Sequence, residues 1–190
     1  MKVKGCKIKV YFYQKMQRMH LSTHLAKHLR DVHFGGNWTS VNLKATLSDV
    51  TWQQATTPVK GLNTIATLLF HVNYFVGVQL KVLQGGPLEG NDKLSFAHPP
   101  IRSQADWEAM TDKAWADAEA LARLIEQLPE ERLWDVFYDE KYGNYYRNLQ
   151  GLIEHTHYHL GQMVLVKRLL EEAGDKILKP PPPNESYPAR

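Results

Sequence analysis

Leu152, His155, His159, Gln162, Val166 and Leu169 follow one another at spacings of 3, 4, 3, 4 and 3 residues. That rhythm is the inward stripe of an amphipathic helix. It sits in a periodic stretch from about Tyr145 to Glu172, far too long for one strand. Inside it the ten residues "IEHTHYHLGQ" place histidines at 155, 157 and 159. A strand would put all three on one face. In a helix, at about 100° per residue, His155 and His159 lie about 40° apart and His157 points away from both. The chain must therefore bury a helix whose core stripe carries three consecutive polar side chains.

A second stripe matches the first. Leu68, His71, Phe75, Val78 and Val82 recur at 3, 4, 3 and 4 in a helix expected over about Asn63 to Gln84 and ended by "GGP" at 85–87. His71 stands where a leucine would be expected. Leu21, Leu25, Leu29 and Val32 predict another helix from His20 to His33, stopped by "FGG" at 34–36. Ser103, with Asp106 three residues on, predicts a cap for a helix along Trp107, Met110, Ala114, Ala118, Leu121, Ile125 and Leu128. Leu43, Leu47 and Val50 suggest a short helix, broken by Thr56, Thr57 and Pro58. Residues 85–101 read as loop by composition, and Gly174 as the stop of the last helix. Four long helices, one long connection and no convincing strand pattern predict an all-α four-helix bundle over residues 19–174. A basic extension at 1–18 precedes it, and a proline-rich tail at 175–190 follows.

Composition narrows the partners. The net charge of +3 divides into +6 from residues 1–18 and −3 from the rest. A slightly acidic body argues against nucleic acid as the main ligand. The basic head reads as an extended arm ahead of the domain, with a membrane or nucleic-acid arm as the alternative. No apolar run reaches the roughly 20 uninterrupted residues of a membrane span. The nearest, "LNTIATLLFHVNYFVGVQL", carries His71 and two asparagines and reads as a bundle helix. Cys6 is the single cysteine, which excludes an intramolecular disulfide and fits a reducing, cytoplasmic setting.

Burying a histidine without a partner costs a few kcal/mol, so a seam with several needs a reason. An i, i+4 pair presents two imidazole nitrogens to one ion, and a histidine from a facing helix supplies a third. Three protein ligands leave a position for water or substrate, the pattern of catalytic rather than structural sites. Unperturbed imidazoles would release such an ion between about pH 6.5 and 5. The residues alone leave a second reading open, core histidines bonded to backbone carbonyls or to one another.

Other residues carry weaker signals. His20, His24 and His28 form a rival i, i+4, i+8 series, read as the solvated edge of the first helix. His157 belongs to a different stripe and takes no catalytic role. Gln162 reads as a contact to a ligand histidine or to substrate, with a hydrogen bond that caps the core as the competing reading. Glu154 reads as an acceptor behind a ligand or a general base, with solvent exposure as the competing reading. Tyr142, Tyr145, Tyr146 and Arg147 are candidates to line a pocket and bind an anionic group, with surface packing of the aromatics as an equal alternative.

"HTHYHLGQ" fits the H-x-x-x-H-x-G-Q signature of the DinB/YfiT-like family of four-helix metal-dependent proteins, and "NTIATLLFHVNYF" resembles that family's second helix. The resemblance covers roughly residues 20 to 173. It implies an up-down-down-up bundle with a long crossover, commonly a homodimer. It implies a divalent ion, zinc or nickel, on three histidines whose positions fall on His71, His155 and His159. The family further implies a transferase using a low-molecular-weight thiol cosubstrate, or a hydrolase, acting on a small-molecule substrate. The alternative is a non-catalytic metal or small-molecule binding protein of the stress response.

Overall fold

The computed structural model describes residues 20–59 and 61–178, so the basic head with Cys6 and the polyproline segment lie outside the described residues. Among the described residues four long helices build the body: α1 (Leu21–Phe34), α4 (Ile65–Leu83), α6 (Gln104–Gln127) and α7 (Tyr145–Leu178). Three short ones lie in the connections: α2 (Leu43–Leu47), α3 (Trp52–Thr56) and α5 (Asp92–Ser95). Two 3-10 turns, Glu130–Trp134 and Glu140–Tyr142, join α6 to α7. No strand occurs among the described residues beyond one isolated bridge between Val136 and Asn144.

Each long helix after α1 starts where a side chain can take an orphan N–H. Thr64 accepts from Thr67, Ser103 accepts from Asp106 as its spacing predicted, and Asn144 accepts from Arg147. α1 ends at Gly35, whose φ of 113° few side chains tolerate.

The packing gives the directions. α1 and α4 each pack on both α6 and α7. His71 meets His155 while Gln79 meets Asn148, so α4 and α7 are antiparallel. Asn73 bonds Asp117, and Phe70 and Met110 line one cavity, so α4 and α6 run the same way. His20 pairs with Glu130 and Arg30 with Glu119, which makes α1 and α6 antiparallel. The bundle is up-down-down-up. The parallel pair α4 and α6 requires the crossover at residues 84–103.

The core divides into two apolar clusters. One gathers Val32, Leu68, Leu69, Val72, Trp107, Leu160 and Met163, and the other Leu25, Leu29, Val76, Leu121, Ile125, Leu149 and Leu152. Each fully buried side chain of this kind contributes roughly 1.5–3 kcal/mol. Along α4 the first cluster ends at Val72 and the second begins at Val76, with His71 at that junction, and along α7 His155 and His159 fall between Leu152 of the second cluster and Leu160 of the first. The polar residues therefore occupy the waist between two hydrophobic layers.

Three expectations change. Residues 52–56 form α3, built on a full capping box between its N-cap Thr51 and Gln54. The crossover is not all loop, since α5 forms within it, capped by Asn91. α7 runs through Gly174 to Leu178. A glycine inside a helix costs about 1 kcal/mol and does not end it without a breaker, and the next proline after Gly174 lies at 180. α4 has the length and apolarity of a membrane span. It packs against α6 and α7, with His71 buried at its middle, as the core helix of the bundle.

Candidate metal centre

Where α4 crosses α7, His71, His155 and His159 converge. Their ring centroids are 4.8 Å apart for 71 and 155, 4.7 Å for 71 and 159, and 4.4 Å for 155 and 159. One nitrogen from each lies within 4.8 Å of the other two, and no other group of three His, Cys, Asp or Glu donors converges this way among the described residues. His71 is 4% exposed and His159 8%, while His155 is half-buried.

Hydrogen bonds behind two of the rings set which nitrogen is free. Ser95, fully buried on α5, donates its hydroxyl proton to the carbonyl of Asp92 at 2.6 Å. Its oxygen is then an acceptor for Nδ1–H of His71, 2.7 Å away. Nδ1–H of His159 donates to Gln162 Oε1 at 2.7 Å. With protons fixed at both Nδ1 atoms, His71 and His159 present bare Nε2 lone pairs. Nε2 of His71 sits 2.9 Å from Nε2 of His155.

The crossover closes one side of this cluster. The backbone N–H of Asn91 donates to the hydroxyl of Tyr74, 2.9 Å away, and ties the start of α5 to α4. Phe96 stacks on His71 with centroids 4.0 Å apart and planes 18° from parallel. Phe75 meets His71 and His155 edge-on at 5.2 and 5.4 Å.

Burial keeps these imidazoles neutral. Desolvation is the largest cause lowering the pKa of each, and with the neighbouring charges included His155 falls to about 4. Repulsion from His159 depresses His71 and His155 further, and His71 adds to the effect on His155, while the nearby Asp92 acts in the opposite sense on both. Neutral imidazole is the form that binds a metal. Three neutral nitrogens, two with tautomers fixed outward, are a donor set that fits a divalent ion. Protons compete less well for such rings, so ion release moves below the pH window of unperturbed histidine.

A cavity of about 510 Å³ opens beside His71 and His155, with Phe75, Gln79, Asp92, Asn148 and Leu152 among its walls. Arg147 lines it too, but its three aromatic companions turn elsewhere. Tyr145 packs on Phe137 in the core, Tyr146 lies against Trp134, and Tyr142 is exposed beside Lys141. Glu154 is exposed and lines the same cavity, outside the ligand cluster. Gln162 is bonded directly to a candidate ligand.

The remaining histidines stand apart. His157 donates to the carbonyl of Ile153 at 3.1 Å and faces α1 across a second cavity, which His24 and His28 also line. His20, His24 and His28 are exposed, and His20 pairs with Glu130 at 3.0 Å. Ser95, Asp92 and Phe96 escape a sequence reading because they lie in a stretch rich in Gly and Pro. The one available signal was Asn91 followed by Asp92, a helix-start pattern.

Fold and site together define an up-down-down-up helical bundle with a tri-histidine cluster able to hold a metal ion. The chain belongs to the DinB superfamily, whose sequence pattern matches residues 38–163. The matched segment contains all three histidines and ends one residue after Gln162, leaving α1 and the end of α7 beyond it. No curated protein and no solved structure matches the chain.

Proposed function

We propose that this protein is a metal-dependent enzyme in which His71, His155 and His159 hold one divalent ion, zinc or nickel, beside a small-molecule cavity. Transfer by way of a low-molecular-weight thiol, or hydrolysis, is the reaction class, in a cytoplasmic homodimer. The observation that carries the reading is the convergence of three neutral imidazoles, two of which, His71 and His155, line a 510 Å³ cavity. A divalent ion at such a site supplies Lewis-acid activation of a thiol or water. Ser95 and Gln162 keep protons at the outer nitrogens of His71 and His159 and so hold the inner ones free. Phe96 stacks over His71, and Phe75 packs edge-on against His71 and His155 at the cavity wall. Asp92 and Glu154 are the acids that line the cavity, and they are the groups available there to take a proton from a bound thiol or water.

Three protein donors with an adjoining cavity favour catalysis over simple storage of an ion. A non-catalytic metal or small-molecule binding role is the competing reading. Metal analysis of the purified protein, followed by a thiol-transfer screen of the loaded form, tests the proposal. About one divalent ion per chain and thiol-dependent turnover are expected. A loaded protein in which all four positions are filled by protein groups would favour binding alone.

A further inference from the structure

The cavity beside the histidines has a second chemical end. Arg147, Gly151, Glu154 and His155 share one face of α7, and all four line the same space. Eight residues separate Arg147 from His155, roughly 12 Å along the helix axis. Between them Gly151 leaves the floor open, since a Cβ there would meet nothing within 4 Å.

Arg147 is placed against the local electrostatics. It lies in the first turn of α7, where the helix dipole favours anions and disfavours a cation. Its Nη1 donates to the carbonyl of Tyr142 at 2.8 Å, and its stem lies over Gly143, whose absent side chain leaves the room. Nε and Nη2 have no acceptor among the described residues. Arg30 shows the contrast, held by Glu119 and Glu126 together. The free edge of Arg147 is the one that grips a carboxylate or phosphate in a bidentate pair.

The other walls agree with a polar, elongated guest. Gln79 donates to the carbonyl of Asn148 at 2.9 Å, but its Oε1 is buried without a partner among the described residues. That acceptor suits an N–H or O–H of a ligand. Asp92 and Glu154 repel an anion from their part of the cavity, and Arg147 is the one permanent cation among the described residues that line it.

We infer that Arg147 is the anion anchor of this cavity, binding the carboxylate or phosphate of a small-molecule substrate whose reacting atom lies on the order of 10 Å away at the histidines. The histidine end of this assignment rests on the proposed metal site, while the Arg147 end stands on the cavity alone.

Two measurements test it. In the first, cobalt(II)-loaded protein is titrated with ω-mercaptooctanoate and with the neutral ω-mercaptooctanol, following the near-ultraviolet cobalt–sulfur absorbance. The acid should bind about tenfold more tightly than the alcohol. Arg147→Gln should abolish that preference while leaving the alcohol's affinity unchanged, and Arg147→Lys should keep part of it. Equal affinities in the wild type, or a preference that survives Arg147→Gln, overturn the inference. In the second, metal-free protein is titrated with octanoate and octanol while the Nε–H resonance of Arg147 is followed by NMR. A saturable shift with octanoate alone supports the anchor, and no shift overturns it. Failure of cobalt to bind in the first measurement counts against the metal reading, and the second then decides the anchor by itself.

Discussion

Two helices of this protein carry histidines at i and i+4, His24 and His28 on α1 and His155 and His159 on α7. Their spacing is identical, so their backbone geometry is the same. Their surroundings are not. His24 and His28 are exposed on the edge of α1, on the wall of a cavity where no third donor converges among the described residues. His155 and His159 lie on the inward stripe of α7, opposite His71, with Gln162 bonded behind one ring. Spacing sets where two imidazoles point, and burial with a facing partner sets what they can do.

The strongest way to break that contrast is to remove each pair. His155→Ala with His159→Ala should take the bound metal from about one ion per chain to none, whereas His24→Ala with His28→Ala should leave it unchanged. Elemental analysis after dialysis reads the result.

Acid stability sharpens the contrast between buried and exposed rings. His33 is 1% exposed, and burial lowers its pKa to about 4 although its Nδ1–H donates to the carbonyl of Leu29. The unfolded chain takes up that proton near pH 6.5 and the folded chain does not. Stability is therefore full above pH 6.5 and declines as the pH falls toward 4. The loss from His33 is on the order of 3 kcal/mol. Urea melts of the metal-free protein should show the decline, and His33→Gln should make it shallower.

Substitution behind the rings has a smaller effect. Ser95→Ala removes the acceptor for His71, and Gln162→Leu removes the one for His159. Each should weaken metal affinity by about 10–100-fold with the fold intact. Competition against a chelator of known affinity gives the number, and unchanged affinity would mean that the tautomers are set in another way. The smallest expected effect is on stability at pH 7 of the His24→Ala, His28→Ala protein, within about 0.5 kcal/mol of the wild type because both rings face solvent.

The long helices and the triad were legible because they depend on periodicity. The stripes of α4 and α7 each put histidine at a core position, and two long antiparallel helices bring such stripes together. What supports the triad was not legible. α5 has four residues, less than one periodic window, and sits among Gly85, Gly86, Pro87 and Gly90. Ser95 reaches His71 only because the crossover folds back on α4, through Asn91 on Tyr74 and Phe96 on His71. No local pattern encodes that return. α3 did leave a trace, since Thr51 and Gln54 have capping-box spacing, but Thr56, Thr57 and Pro58 read as a break. Gly174 misleads in the opposite direction, because a stop signal needs a chain that turns and α7 continues.

The central claim is that three imidazoles form one metal site with a position left over. X-ray absorption on the zinc-loaded protein tests it most directly. The account predicts one zinc per chain with three imidazole nitrogens at about 2.0–2.1 Å and a single further light-atom neighbour from water or buffer. A chain that binds no zinc, or a zinc whose shell is unchanged in the His155→Ala, His159→Ala protein, would contradict it.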